Sequence, residues 1–465
     1  MPDAPLPPEG RAVAERLALA IVGCAPHADA RALPTARRLL LDIAGLCIAA
    51  RREPYVRAAL AAYDAGGACS VLGHSQRLDV AGAAFVNGTA AHGEDFDDTY
   101  EGGPVHAGAV VVPAVLAAAQ RHGASGADLL RGLGVGVELT CRLCAVAPTK
   151  VHQAGFHPTA VFGVMGAAAG VGALLRLDAA TLVNAFGIAG SMAGGIIEYL
   201  SEGAWTKRLH PGWAAQSGYR AVRLAQGGFI GPRSVFEGPH GFFHGYAKLD
   251  TARGEGDFEA MLDGFGNTWL WPTIAFKPYA CGTMAHPYID CARAWRRLGI
   301  APERIARIEC DTAAGIVHRL WEPLAAKQAP PNAYAAKFSI PYAIAVAIAR
   351  DDAGLREYTD DLAMDRTIRA LAAKVRYRVD PANPYPKQFT GHLRVTLDDG
   401  HVHEHRQEFF QGGALHPLSD ADLHRKFVAN CRYGGLADAA AQRLAQQLHG
   451  LFDQPLIGAL DEAGE

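Results

Sequence analysis

Residues 158–175 read PTAVFGVMGAAAGVGALL, eighteen positions without a charged side chain. That length is close to what spans a bilayer. The composition argues otherwise: the residues are mostly Ala, Gly and Val, His157 and Arg176 flank the stretch, and the mean hydropathy of the chain is only +0.04. The stretch therefore reads as a central helix buried in a globular bundle. Gly163, Gly166, Gly170 and Gly172 give it small faces that let neighbouring backbones approach closely, at some cost in local helix stability.

Working outward, apolar residues recur at helical spacing from Arg11 to about Phe265, as in 36–49 and 112–119, and strand-like alternation is scarce. The texture changes near Trp269, where TWLWPTIAFKPYACGTMAHP (268–287) is rich in Pro and aromatics. Beyond it, 304–312 and 375–379 read as strands. Leu393, Val395 and Leu397 alternate with polar neighbours, and Asp398, Asp399 and Gly400 supply turn chemistry before an extended segment 401–409, so a β-hairpin is expected there. His401, His403 and His405 are expected on its exposed face. Helical spacing returns over 420–460. The expected fold is mostly α: a large all-α helical domain from 1–268 and 412–465, and a smaller α+β lid domain from 269–411.

A chain of 465 residues is past the size at which one core keeps growing, which agrees with two domains. With 44 Lys+Arg against 47 Asp+Glu the formal charge is −3, so nothing attracts nucleic acid or an anionic membrane globally, and any affinity for anions must be local. The opening MPDAPLPPEG lacks a basic segment followed by an apolar one, so a cytoplasmic protein is expected. Nine scattered cysteines include one CxxC pair, Cys141 and Cys144, inside an apolar helical stretch; they read as buried thiols, and Arg142 between them as structural.

Polar residues interrupt the apolar helical territory in short clusters, and buried polar groups need a partner or a purpose. HGEDFDDTYEGGPVHAGA (92–109) offers Asp95, Asp97, Asp98, Thr99 and His106. HQAGFHPTA (152–160) offers His157, and EGAWTKRLHPGWAAQSG (202–218) offers Lys207, Arg208 and His210. FKPYACGTMAHP (276–287) carries Lys277 and His286, and NAYAAKFSIPYAIA (332–345) carries Tyr334, Lys337 and Tyr342. The chain contains no GxGxxG, GxSxG or HExxH, which removes the usual supports for hydride transfer, serine hydrolysis and zincin chemistry.

Taken together and in this order, NGTAAHGEDFDDT with His106, GFHPTA, TKRLHPGWAA, FKPY with a following His, and AKFSIPYA resemble the MmgE/PrpD family, over about 11–427. The resemblance implies an enzyme without cofactor or metal, usually a homodimer, with its active site between a helical domain and a lid. It implies catalytic roles for Asp95, His106, His157, Lys207, Lys277 and Tyr342, with Thr99, His210 and His286 binding substrate; the charge of Arg208, beside Lys207, adds it to the groups expected to hold substrate carboxylates. Family members include 2-methylcitrate dehydratase, cis-aconitate decarboxylase and iminodisuccinate epimerase. The sequence departs from the decarboxylase branch at Gly282, where that branch carries a histidine five positions after the lid lysine; His286 lies close enough in sequence to stand in for it.

These residue types suit a reaction that passes through a carbanion or enediolate beside a carboxylate. Lysines steady the added charge, an effect worth ~3 kcal/mol per well-placed donor, and histidines move protons near neutral pH. One of His106 and His157 is expected to take the proton and the other to give one to the departing hydroxyl, with Asp95 orienting an imidazole. Asp97 and Asp98 are expected to do no more than cap the following helix or bind amides. The leading expectation is a hydro-lyase dehydrating a small polycarboxylate such as 2-methylcitrate. An epimerase or decarboxylase on a related acid is the alternative, and a non-catalytic dimeric binding protein is the reading from outside enzymes.

Overall fold

A computed structural model describes residues 10–103 and 105–460. The reading of the first nine residues as lacking a leader lies outside them. The described chain divides into two compact units. The larger takes the residues up to Gly93, Asp97–Ile274 and those from His424 onward; the smaller takes Glu94–Phe96 and Ala275–Leu423. Helices dominate and strands are few, so the mostly α fold with a small α+β part is as expected.

In the larger unit the main helices are α1 (Ala32–Ala50), α2 (Val80–His92), α3 (Ala107–His122), α4 (Gly126–Val146), α5 (Pro158–Leu174) and α6 (Thr206–Gln226). Helix α5 is the stretch quoted at the outset. Pro158 starts it where a missing N–H is harmless, and all seventeen of its residues are buried, packed by α3, α4 and α6. Among the described residues no helix is long and apolar enough to cross a membrane. The glycines show why α5 and α4 sit so close: a Cβ at Gly166 would fall 1.9 Å from the Thr140 hydroxyl oxygen, and one at Gly170 would fall 2.8 Å from the Gly132 carbonyl oxygen. Two short strands, β1 (Cys69–Ser70) and β2 (Arg77–Leu78), pair antiparallel in this otherwise helical unit.

The same unit recovers residues from far along the chain. The buried Lys426 ammonium lies 2.7 Å from the Asp42 carboxylate of α1, and the Phe427 ring fills the space above Gly45. Glu138 of α4 pairs with Arg142 and accepts the N–H groups of Leu270 (2.8 Å) and Trp271 (2.9 Å). Arg142 in turn donates to the carbonyls of Met261, Asp263 and Thr268, so its role here is structural. All nine cysteines are buried free thiols.

The smaller unit holds a four-stranded mixed sheet of β3 (Ile305–Thr312), β4 (Val375–Val379), β5 (Gly391–Leu397) and β6 (Val402–Gln407), in the order β4-β3-β5-β6. β3 and β4 run parallel through a helical crossover, while β3 with β5 and β5 with β6 are antiparallel. The expected hairpin is β5–β6, turning through Gly400 at φ 84°, a left-handed conformation that suits glycine. Helix α7 (His286–Arg296) packs on β5 and β6, and α8 (Ile340–Arg350) packs against α7. One expectation fails here. The register sets His405 opposite Leu393 and His403 opposite Val395, so both histidines share the covered apolar face while Val402, Glu404 and Arg406 point to solvent; His401 alone of the three is exposed.

Candidate functional site

Four helices of the larger unit bring their ends together at a group of imidazoles. His92 is the last residue of α2, His106 and His157 precede the first turns of α3 and α5, and His210 lies in the first two turns of α6. The His92 ring centroid is 4.8 Å from that of His106 and 5.5 Å from that of His157, and His157 is 5.3 Å from His210. Tyr199 closes the group, with its ring 5.9 Å from His210. The N-termini of two helices thus point partial positive charge toward one place, and that of α3 is already capped by the Asp98 carboxylate.

Hydrogen bonds fix the rings. The His106 Nδ1 lies 2.8 Å from the Asp98 carbonyl oxygen, which can only accept, so Nδ1 carries the proton and Nε2 the lone pair. The His106 backbone N–H donates to the Thr159 hydroxyl at 3.1 Å. The His92 Nδ1 lies 2.7 Å from one oxygen of Asp97, whose other oxygen is 3.4 Å from His106 Nδ1. His157 and His210 share a proton between their Nδ1 atoms at 3.2 Å. Burial, reinforced by His92 and the Lys207 charge, holds His157 well below the ordinary histidine range, and the same causes bring His210 to about 4. Both rings are therefore neutral at pH 7. His210 and Tyr199 also line a cavity of about 480 Å³ with Gly195, Leu209 and Trp213, ample for a small polycarboxylate.

The remaining residues expected in this unit fall as follows. Lys207 is buried on α6 and close enough to act on His157 and His210. Thr99 is buried, and the Arg208 guanidinium stacks over the Tyr55 ring at 4.4 Å. Asp98 accepts the Gly108 N–H at 3.0 Å in the first turn of α3, as a helix cap should. Asp97 is fully buried against two imidazoles, the part expected of Asp95.

Asp95 belongs to the smaller unit. Its carboxylate and its carbonyl both receive the Lys277 ammonium, at 3.0 and 2.8 Å, and its backbone holds φ 54°, a left-handed conformation that Asp tolerates better than most side chains. Lys337 clamps the same segment, bonding the Glu94 carbonyl at 2.8 Å and its carboxylate at 3.0 Å. Tyr342 is buried in α8, its hydroxyl donates to the Glu357 carbonyl at 2.7 Å, and burial with Glu357 pushes it above the usual phenol range, so it anchors a turn and is a poor proton carrier. His286 is buried at the start of α7, with Nε2 3.2 Å from the Cys281 carbonyl and its ring against Tyr279 and Phe410. Among the described residues, His92, Asp97 and His106 form a group with metal-ligand chemistry, their donor atoms lying within 4.8 Å of one another. The Nδ1 atoms of the two imidazoles already face a carboxylate and a carbonyl, which leaves their Nε2 atoms as the nitrogens with lone pairs.

The family model of the MmgE/PrpD N-terminal domain matches residues 15–254, and that of the MmgE/PrpD C-terminal domain matches 279–450. The chain belongs to the MmgE/PrpD family. Among its MmgE/PrpD relatives, cis-aconitate decarboxylase of Mus musculus is 31% identical over 364 residues, covering 76% of this chain and 72% of the relative. The enzyme of the same name from Homo sapiens is 30% identical over 435 residues, covering 90% and 88%, and that of Aspergillus terreus is 29% identical over 351 residues, covering 70% of each. These matches favour the decarboxylase alternative over the expected dehydratase. Sequence reasoning passed over one residue of the histidine group, His92, and assigned its partner Asp97 to helix capping or amide binding. Their spacing across a helix end has no periodic signature, and only the acid-rich run after His92 marked the place.

Proposed function

We propose that this MmgE/PrpD protein is a carboxy-lyase acting on a small unsaturated polycarboxylate of the cis-aconitate kind. The observation that supports it is the buried imidazole group with Lys207 beside it, set at two helix N-termini. When carbon dioxide leaves, the electron pair of the broken bond spreads toward the neighbouring unsaturated carbon and carboxylate. That anion needs positive charge near it and then a proton on carbon. Lys207, with the N-terminus of α5, meets the first need. His106 meets the second once its Nε2 has taken a proton from water, giving that proton to carbon and returning to the neutral form with the proton on Nδ1; His157, held neutral, serves as an acceptor for the substrate or for His210.

Asp95, Thr99, Arg208, His210 and Lys277 remain part of the proposal as substrate-binding or charge-positioning groups, and so does a homodimer, which light scattering would test. A second reading keeps a specific observation on its side: Gly282 occupies the position of the decarboxylase histidine, which favours dehydration of a 2-methylcitrate-like acid through the same anion. Incubating the protein separately with cis-aconitate and 2-methylcitrate distinguishes them. Carbon dioxide released from cis-aconitate is the expected result. Ultraviolet absorbance growing from 2-methylcitrate without gas would move the assignment to the dehydratase, and tight binding of either acid without turnover would overturn both.

A further inference from the structure

The Asp97 carboxylate has no place in the expected chemistry, yet it is fully buried between two imidazoles, where an ionised acid needs positive charge or N–H donors around it. One oxygen is 2.7 Å from His92 Nδ1 and the other 3.4 Å from His106 Nδ1. An ionised carboxylate only accepts, so His92 is held with its proton on Nδ1, and the side chain of His92 is itself fully buried at the end of α2. His92 therefore steers Asp97, and Asp97 lies alongside the nitrogen of His106 that stays protonated while Nε2 gains or loses its proton.

We infer that Asp97, oriented by His92, is the positioning group that stabilises the imidazolium of His106, and that His92 and Asp97 act on turnover without touching the substrate. The inference rests on His106 being the proton carrier of the proposed lyase. When Nε2 takes a proton, His106 becomes cationic with its Nδ1–H still on the Asp98 carbonyl. The positive charge then faces the fixed carboxylate, and no proton passes to Asp97. The arrangement is the buried acid, imidazole and reacting group of nucleophilic hydrolases, used here on a proton carrier. His92 adds a second imidazole behind the acid, which stops the carboxylate from rotating away.

Four variants test it, with kcat and KM measured on cis-aconitate or on whichever acid the protein turns over. Asp97→Asn keeps the shape and removes the charge, and kcat should fall by ~100-fold or more while KM stays within about threefold. His92→Phe removes the donor and should lower kcat by ~10-fold. His92→Asn places an amide N–H near the former Nδ1 and should restore most of that loss, a recovery that a packing role would not produce. His106→Gln is the control on the reading beneath. If it retains full turnover, His106 is not the proton carrier and the proposed mechanism falls with it. If it is inactive while Asp97→Asn and His92→Phe run at the normal rate, or while His92→Asn is no better than His92→Phe, the positioning inference alone is wrong. Should Asp97→Asn fail to fold, the His92 pair decides.

Discussion

At the scale of single residues, His157 and His210 are held neutral by burial, with His92 and the Lys207 charge beside them. His157 and His210 are neutral in the folded protein, whereas an unfolded chain would protonate them near pH 6.5. Above that pH neither state takes a proton at these rings and they add nothing to the pH dependence. As pH falls from 6.5 toward 4, the unfolded chain binds protons that folded His210 refuses, so stability drops, by roughly 2 kcal/mol at pH 5 for this ring. Urea midpoints at pH 7 and pH 5 should therefore diverge in the wild type and diverge less in His210→Asn; equal divergence would show that the ring is not held neutral. Lys207→Ala should fold normally and lose at least ~100-fold in kcat, read by steady-state kinetics beside circular dichroism. His106, His157, Lys207 and His210 could be found from sequence because each interrupts apolar helical territory. Asp97 could not be told from Asp95, since both lie in one acidic run and only the fold decides which meets an imidazole and which meets an ammonium.

At the scale of elements, the helix α5 and the β5–β6 hairpin were legible for opposite reasons. One is uniformly apolar behind a starting proline, and the other alternates around an Asp-Gly turn. What periodicity leaves open is which side of a strand faces the core. In β6 the register assigned by the turn outweighs polarity, placing Val402 in solvent and His405 against the apolar face. For the helices the decisive property is closeness. Gly166→Ala would force a methyl carbon to within 1.9 Å of the Thr140 oxygen, and α4 and α5 must separate to accept it. The expected cost is ~1–3 kcal/mol, measured by chemical denaturation. Because α5 carries His157 at its N-terminus, a loss of turnover greater than the loss of stability should accompany it. A Gly245→Ala control, at a site where a Cβ meets nothing within 4 Å, should do neither.

For the molecule as a whole, helical spacing over 420–460 correctly placed that segment among helices, but no pattern in the sequence marks Glu94–Phe96 as part of the smaller unit. Three residues are too few to carry a signal, and what binds them there is a pair of lysines, Lys277 and Lys337, far along the chain. A second long-range pair closes the larger unit. Removing one partner of the buried Asp42–Lys426 bridge leaves a charge without its counterion, so Lys426→Met should cost ~3–5 kcal/mol, visible as a lowered thermal midpoint, while Asp42→Asn with Lys426→Met should recover much of it. The bridge also has a bearing on synthesis. A ribosome delivers Asp42 long before Lys426, with all of residues 275–423 in between, so the bed on α1 that receives Phe427 stays open to water for most of translation. A nascent chain stalled short of residue 426 would present that bed, apolar and anionic at once, to whatever holds unfinished proteins in the cell.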